Sequence, residues 1–229
     1  YISYSGILLY LPDDETTFER IYRRLLWCII SLKRNKFLAG SSDVYLYKIS
    51  NPMIIYLIRH TSVDVPAGYA YGQTDVPLKP TFEEEAEEVK KGLSDHTFDK
   101  VWTSPLTRCV RLANYCGFPE AEREDRIKEV NFGEWEMKSW NELSSDPRSE
   151  AWFKDWVNNP TPNGESLQDQ YDRVSDFLNE LRKSGLQKVC LFAHGGVLTC
   201  ARVYAGEYPL QDAFKNVPSY GAIVKLVLD

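Results

Sequence analysis

The chain has 229 residues, of which 43% are hydrophobic and 13% aromatic, so it can bury the core of one compact domain. Its formal net charge is −6, which argues against nucleic acid or an anionic membrane as a partner, because either would require a basic face. Any anionic ligand must then be held by a local cluster of arginines.

Residues 1–52 differ from the rest of the chain in charge. They carry seven Lys or Arg against five Asp or Glu, whereas the remainder carries 20 against 28. Their pattern predicts a short strand in ISYSGILLYL and a basic amphipathic helix in TTFERIYRRLLWCIISLKR. The longest apolar run here, LLWCIISL, is too short for a membrane span. We interpret residues 1–52 as an accessory N-terminal extension or as a mis-assigned start, and residues 53–229 as the working domain.

From Met53 onward, apolar strand-like runs alternate with amphipathic helical patterns. Continuous apolar runs such as IIYLI and KVCLFA are typical of strands that helices cover on both faces. The sequence therefore predicts an α/β protein, a three-layer αβα sandwich with a mostly parallel sheet. The predicted strands are IIYLI, FDKVWTS, KVCLFA and an edge strand AIVKLVL, and the predicted helices are TFEEEAEEVKKGL, PLTRCVRLANYC, SLQDQYDRVSDFLNELRKSG and GGVLTCARVYAG.

The five cysteines have neither a metal-ligand spacing nor a CxxC spacing, and several lie in apolar patterns. This usage predicts buried, reduced thiols and a cytoplasmic location. The cysteines are Cys28, Cys109, Cys116, Cys190 and Cys200.

Two of the three histidines follow predicted strands. His60 ends the run MIIYLIRH, His194 ends KVCLFAH, and ligands of open α/β sheets bind at such strand ends. Arg59 precedes His60, and Arg108 lies in the first turn of the helix after FDKVWTS. Because a guanidinium matches phosphate oxygens bidentately, two arginines and two histidines predict a pocket for a dianionic phosphoryl group.

Phosphoryl transfer also requires a nucleophile and an acid for the leaving oxygen. An imidazole that is held neutral can be the nucleophile. The segment RIKEVNFGEWE offers Glu129, Glu134 and Glu136 as acids. We choose Glu129, because it directly follows the short apolar segment, and a carboxyl group beside a bound phosphate is favoured in its protonated form.

Five motifs in chain order, LIRHT, YGQTDVPL, TSPLTRC, EVNFGEWE and AHGG, resemble those of the histidine phosphatase superfamily, also called the phosphoglycerate mutase-like family. The resemblance covers residues 53–229 and none of residues 1–52. It implies a phosphoglycerate mutase-like fold, a small phosphorylated metabolite as the partner, and phosphohistidine formation with neither cofactor nor metal. It further implies that His60 becomes the phosphohistidine, that Arg59, Arg108 and His194 hold the phosphoryl oxygens, and that Glu129 donates the proton.

The same resemblance indicates a substrate side. By motif position it is lined by Thr61, Gly72, Gln73 and Gly195. More weakly, Glu165 and Ser166 are expected to approach it, and Ser166 is also a candidate helix cap. Members of the family often form homodimers, which makes a homodimer one of the assemblies to expect.

Within the family, RHT, YGQTDVPL and FGEWE most resemble the alpha-ribazole phosphatase branch, which removes the 5′-phosphate of alpha-ribazole phosphate in cobalamin nucleotide-loop assembly. Thr61, where many members carry Gly, is similar to this branch. The short interval between Glu129 and His194 leaves little room for an extended cap and favours water as the phosphoryl acceptor. The alternatives are a phosphoglycerate mutase, a broad-specificity sugar-phosphate phosphatase, and a catalytically inactive module that binds phosphorylated ligands.

Two features of the sequence leave less specific interpretations. An aromatic cluster has two interpretations. It forms a lid that stacks on a substrate base, or it is ordinary helix packing. We favour packing, because Trp152 and Trp156 are one helical turn apart. HGG also occurs in esterases, but the chain has no GxSxG elbow, P-loop, HExxH or paired CxxC. The cluster consists of Trp135, Trp140, Trp152, Phe153 and Trp156.

Overall fold

The computed structural model describes residues 52–228 and, further toward the N-terminus, the backbone of Ser3–Tyr4 and Ile7–Leu8. The chain divides into two compact units, Tyr1–Ile49 and Ser50–Asp229.

In the first unit, β1 (Ser3–Tyr4) pairs with β2 (Ile7–Leu8) in antiparallel register. The prediction of one strand through residues 2–11 is therefore wrong, because two short segments within it pair with each other in opposite directions. The helix predicted for residues 16–34 lies outside the described residues.

A five-stranded sheet forms the centre of the second unit. Its strands are β3 (Met53–Arg59), β4 (Lys100–Thr103), β5 (Glu122–Arg123), β6 (Lys188–Ala193) and β7 (Ile223–Leu228). Their order across the sheet is β5-β4-β6-β3-β7, and β7 alone runs antiparallel to its neighbour. The mostly parallel sheet and the edge position of the last strand are thus confirmed, whereas the two-residue β5 was not predicted.

The four helices predicted after Met53 are confirmed, and two short ones join them. The helices are α1 (Phe82–Leu93), α2 (Thr107–Tyr115), α3 (Trp140–Ser144), α4 (Ser149–Lys154), α5 (Leu167–Lys183) and α6 (Gly195–Tyr204), with 3₁₀ turns at Asp125–Ile127, Gly133–Trp135 and Leu210–Asn216. Within residues 52–228, none of these helices combines the length and the apolar character that crossing a membrane requires.

Side-chain alternation along β3 explains the three layers. Ile55 and Leu57 pack with the buried residues of α5 and α6 on one face, whereas Tyr56 and Ile58 pack with those of α1 and α2 on the other. Successive residues of a strand point to opposite faces, so a continuous apolar run needs cover on both sides. The three-layer αβα sandwich is therefore confirmed.

The start of α5 has the capping residue that its sequence predicts. The side chain of Ser166 accepts a hydrogen bond from the Asp169 backbone N–H, and the Asp169 side chain accepts one from the Ser166 N–H, which is a complete capping box. This confirms Ser166 as the cap of α5. The cap fixes where the first turn of α5 begins, and that turn contributes to the site described next.

The thiols of the second unit are buried and free, as the cysteine pattern predicts. This holds for Cys109, Cys116, Cys190 and Cys200, whereas Cys28 lies outside the described residues.

Candidate active site

His60 directly follows β3 and is 1% exposed. Its Nδ1 lies 2.7 Å from the carbonyl oxygen of Thr61. Because a carbonyl oxygen only accepts, Nδ1 carries the proton of the neutral ring, and the lone pair is on Nε2. The ring is thereby held in the tautomer that a nucleophilic Nε2 requires.

The surroundings of His60 keep its ring uncharged. Burial and, after it, the positive charges of Arg108 and Arg59 together lower the pKa of His60 to about 3, against the opposing effect of the hydrogen bond with Thr61. His60 is therefore neutral at neutral pH.

His194 lies beside His60 at the start of α6, and their ring centroids are 5.2 Å apart. Its Nδ1 accepts a hydrogen bond from Arg108 Nε at 3.2 Å, so the proton of the neutral ring is on Nε2, 2.7 Å from Ser104 Oγ. Burial, followed by the charge of Arg108, lowers the pKa of His194 well below its ordinary range. Two neutral imidazoles thus meet where β3 and β6 end.

These two histidines should make folding stability depend on pH. An unfolded histidine takes up a proton below about pH 6.5, whereas folded His60 does not until about pH 3, so stability falls as the pH is lowered through this window. From pH 7 to pH 5 we expect the wild type to lose about 2 kcal/mol more free energy of unfolding than His60→Gln. Urea titrations at both pH values measure this difference, and equal losses in the two proteins would contradict it.

Arg108 and Arg59 bring two guanidinium groups to the histidines without a carboxylate partner among residues 52–228. Arg108 is fully buried and donates to the carbonyl oxygens of Gly72 and Thr74 as well as to His194. Arg59 donates to the carbonyl oxygen of Pro218, and its Cζ lies 4.0 Å from the centroid of the Tyr220 ring.

Buried polar atoms without partners mark the same place. Arg59 Nε and Thr61 Oγ1 are buried and make no hydrogen bond within the described part of the chain. Buried cations and donors are unfavourable unless something compensates them. A phosphoryl group that accepts from both arginines would supply that compensation.

Glu129 faces this group from the loop that follows the 3₁₀ turn Asp125–Ile127. Its Oε1 accepts from the Val130 N–H at 3.0 Å and from Gln170 Nε2 at 2.8 Å, and its Oε2 accepts from the Gly196 N–H at 3.1 Å. Glu129 and Arg59 line one cavity of about 190 Å³. A carboxyl group is therefore placed where a leaving oxygen could receive a proton.

The other two candidate acids have structural roles. Glu136 accepts hydrogen bonds from the backbone N–H groups of four residues. Burial raises the pKa of Glu136, but these donors outweigh it and bring the pKa below its ordinary value. Glu134 is bound to Arg148 and Asn163 at the surface. This placement favours Glu129 as the acid. The four donors to Glu136 are Gly72, Gln73, Thr74 and Phe132.

The residues predicted for the substrate side occupy different places. Gly195 lines the cavity, and a Cβ at this position would lie 3.2 Å from the Arg59 guanidinium. Thr61 is buried next to His60. Gly72 and Gln73 pack against the backbone that carries Glu129. A Cβ at Gly72 would be 1.7 Å from the Val130 carbonyl oxygen, and Gln73 Nε2 donates to the Glu129 carbonyl oxygen at 3.1 Å.

Arg173 supports Glu129 from α5. Its guanidinium donates to the carbonyl oxygens of Arg126, Lys128 and Glu129 and forms an ion pair with Glu165. Glu165 therefore influences Glu129 indirectly: it pairs with Arg173, which binds the backbone carbonyl oxygen of Glu129.

The aromatic cluster divides between core and cavity. Trp135 is fully buried and Trp152 nearly so, whereas Trp140 lines the cavity and stacks on Trp152 at a centroid distance of 5.6 Å. The prediction that Trp152 and Trp156 share a helix is wrong, because α4 ends at Lys154. Trp156 instead packs on Phe214, another residue of the cavity wall.

Several residues of the site were not predicted from the sequence. Ser104 follows β4, and its position at a strand end was a usable signal. Gly196 is the second glycine of HGG, and its backbone contact with Glu129 requires a residue without a side chain. Tyr71, Tyr220 and Gln170 had no such signal. Among residues 52–228, no group of three or more His, Cys, Asp or Glu side chains is arranged to hold a metal ion.

Comparison with known proteins agrees with this geometry. The sheet order and the two strand-end histidines define a phosphoglycerate mutase-like α/β protein. The profile of the histidine phosphatase superfamily (branch 1) matches residues 55–229, so the chain belongs to this family. The resemblance noted in the sequence is thereby confirmed.

Several relatives of this chain are named as phosphatases. The adenosylcobalamin/alpha-ribazole phosphatase of Escherichia coli is 30% identical over 155 residues, which are 64% of this chain and 76% of that protein. Phosphoserine phosphatase 1 of Hydrogenobacter thermophilus is 30% identical over 138 residues, 56% of this chain and 64% of that protein. The crystal structure of the alpha-ribazole phosphatase from Shigella flexneri superimposes with a TM-score of 0.69 at 26% identity, covering 76% of this chain and 89% of that chain.

Proposed function

We propose that this protein is a phosphomonoesterase that transfers the phosphoryl group of a small metabolite first to His60 Nε2 and then to water. The state of His60 carries the proposal: the ring is neutral, Nδ1–H is bound to the Thr61 carbonyl, and Nε2 has no hydrogen-bond partner within residues 52–228. Arg59 and Arg108 lie beside it without carboxylate partners among residues 52–228. This combination is suited to receiving a dianion.

In the first step, the His60 Nε2 lone pair forms a bond to phosphorus while the bond to the leaving oxygen breaks. The Glu129 carboxyl group gives its proton to that oxygen, so the product leaves as an alcohol. In the second step, water attacks phosphorus, Glu129 takes the water proton, and the N–P bond breaks. Arg59 and Arg108 stabilise the charge on the phosphoryl oxygens, so the scheme requires no metal ion.

His194 acts in this scheme through Arg108. Its ring nitrogens are bound to Arg108 and Ser104, so it fixes the orientation of the guanidinium. A direct contact between His194 and the phosphoryl group would require the ring to release one of these two partners.

For the substrate, we propose alpha-ribazole 5′-phosphate. Two relatives of similar sequence or structure are named alpha-ribazole phosphatases. The cavity beside Glu129 is mainly apolar, with aromatic side chains suited to a flat leaving group. Its 190 Å³ can enclose only part of such a molecule, and the exposed Tyr69 and Phe214 extend the apolar surface outward. The aromatic residues of its wall are Tyr69, Tyr71, Phe132, Trp140 and Phe214.

A phosphate-release screen tests this proposal. It compares alpha-ribazole 5′-phosphate, phosphoserine, 3-phosphoglycerate, sugar phosphates and nucleotides, each with and without a chelator. We expect the highest kcat/KM with alpha-ribazole 5′-phosphate and no effect of the chelator. Preference for phosphoserine or 3-phosphoglycerate would contradict the substrate assignment but keep the phosphomonoesterase.

A pair of phenylalanines tests the aromatic cavity. Phe214 lines it and Phe153 does not, yet both side chains are about half exposed, at 47% and 48%. We expect Phe214→Ala to raise KM for alpha-ribazole 5′-phosphate by roughly three- to tenfold, the equivalent of one aromatic contact. Phe153→Ala should leave KM unchanged. Equal effects of the two variants would show that the ring of the substrate does not use this wall.

A further inference from the structure

Gln170 is the one described side chain that hydrogen-bonds the carboxylate of Glu129. It lies in the first turn of α5, is fully buried, and lines the cavity. Its Nε2 donates to Glu129 Oε1 at 2.8 Å. Its Oε1 is buried and has no hydrogen-bond partner within residues 52–228. An unpaired amide oxygen in a buried place is unfavourable, so its presence beside a carboxyl group calls for an explanation.

The contacts of Glu129 suit only one of its protonation states. Three N–H groups, from Val130, Gln170 and Gly196, donate to its two oxygens, and all three are satisfied by an ionised carboxylate. A protonated carboxyl group instead needs an acceptor for its O–H. The free Oε1 of Gln170 is an acceptor on the neighbouring side chain, and rotation of the amide about its last bond exchanges Oε1 with Nε2.

We propose that Gln170 is a positioning residue that serves both states of Glu129, donating from Nε2 to the carboxylate and accepting at Oε1 from the protonated acid. This inference rests on the proposed function, in which Glu129 loses a proton to the leaving oxygen and regains one from water. The exchange of amide ends keeps the carboxyl oxygens in one place through both steps.

Gly196 is what allows this approach. A Cβ at this position would lie 2.3 Å from Glu129 Oε1 and 2.7 Å from Gln170 Oε1. The start of α6 can therefore touch both side chains only because residue 196 is glycine. Other titratable or charged groups around Glu129 are Arg59, Tyr71, Cys109, Glu165, Arg173 and Cys200.

Two substrates with different leaving groups distinguish a role of Gln170 in proton transfer from a purely structural role. An alkyl alcohol must be protonated as it departs, whereas p-nitrophenol departs as the phenolate and needs no acid. The alkyl ester is the alkyl phosphate of the screen above that the wild type cleaves fastest. We expect Gln170→Leu to lower kcat for the alkyl ester by about tenfold or more and kcat for p-nitrophenyl phosphate by less than about twofold.

Gln168→Leu is the matched control, because Gln168 lies on the same helix and donates to Asp172 at the surface. It should leave both rates unchanged. A second variant, Gln170→Glu, keeps a polar group in the buried site. With the alkyl ester, its alkaline limb of kcat should move to higher pH, because a second carboxyl group favours the protonated form of Glu129.

The outcomes distinguish the two proposals. If Gln170→Leu slows both esters equally, or slows neither, the role of Gln170 is overturned while the phosphatase stands. If the wild type cleaves neither ester, the proposed function itself fails.

Discussion

Replacing His60 by alanine is expected to lower phosphate release by roughly 10⁴-fold or more, because the proposed covalent route then has no nucleophile. Within the described part of the chain, the Nε2 of His60 is the one nitrogen of the two central rings that has no hydrogen-bond partner. Steady-state phosphate release from the best substrate measures the loss, and circular dichroism verifies that the variant is folded.

The covalent intermediate gives this prediction a second readout. Rapid alkaline quench of the wild type during turnover should yield a phosphorylated peptide that contains His60, and mass spectrometry identifies it. His96→Ala is the matched control, since His96 packs on Tyr56 and Phe98, away from the other two histidines. Phosphate on His194, or turnover retained without His60, would refute the assignment of the nucleophile.

The same variant separates an enzyme from a binding module. If the wild type binds phosphorylated ligands without turnover, and His60→Ala keeps that affinity, the chain is a catalytically inactive phospholigand-binding module. If turnover is present in the wild type and absent in His60→Ala, that alternative fails.

The sheet and its main helices could be predicted because their determinants are local. The alternation along β3 follows from a continuous apolar run, and strand direction follows from the helices between strands. His60 and His194 could be placed together for the same reason, since parallel strands end at one edge of the sheet. Arg108 was predicted from its position in the first turn of the helix after β4.

Contacts between distant segments could not be predicted. Gln170 lies opposite Glu129 only because α5 packs beside the loop of Glu129, and no spacing in the sequence records this. Tyr71 and Tyr220, whose hydroxyl groups lie 2.6 Å apart, come from loops far apart in the chain. Gly72 and Gln73 follow the motif histidine in sequence order, yet they contact Glu136, the backbone of Glu129 and Val130, and Arg108. These contacts depend on how a loop folds back.

The tryptophans show the limit of periodicity. A spacing of four residues between Trp152 and Trp156 predicted one helical face, but the backbone leaves the helix at Asp155, where φ is −153°. Which aromatic residue meets the cavity is then decided by the path of the loop. Trp140 lies in the cavity wall whereas Trp135 is buried in the core, although both are tryptophans of the same predicted cluster.

Arg108→Met should lower kcat/KM by about 10²- to 10³-fold, the usual effect of removing a preorganised donor to a developing anion. Arg108 uses three of its five N–H donors on His194, Gly72 and Thr74, so the remaining two are available for a phosphoryl oxygen. Arg108→Lys should be nearly as impaired, because one ammonium group cannot replace a fork that bridges three fixed acceptors.

A binding measurement links this loss to the anion. Inorganic phosphate should raise the melting temperature of the wild type and leave that of Arg108→Met unchanged, because ligand binding to the folded state is what stabilises it. Arg111→Met is the matched control: Arg111 lies one turn further along α2, is exposed, and stacks on Phe82. It should keep both turnover and the response to phosphate. If Arg108→Met retained turnover within about threefold of the wild type, Arg59 alone would have to neutralise the phosphoryl charge, and the pair of arginines could not be the basis of the site.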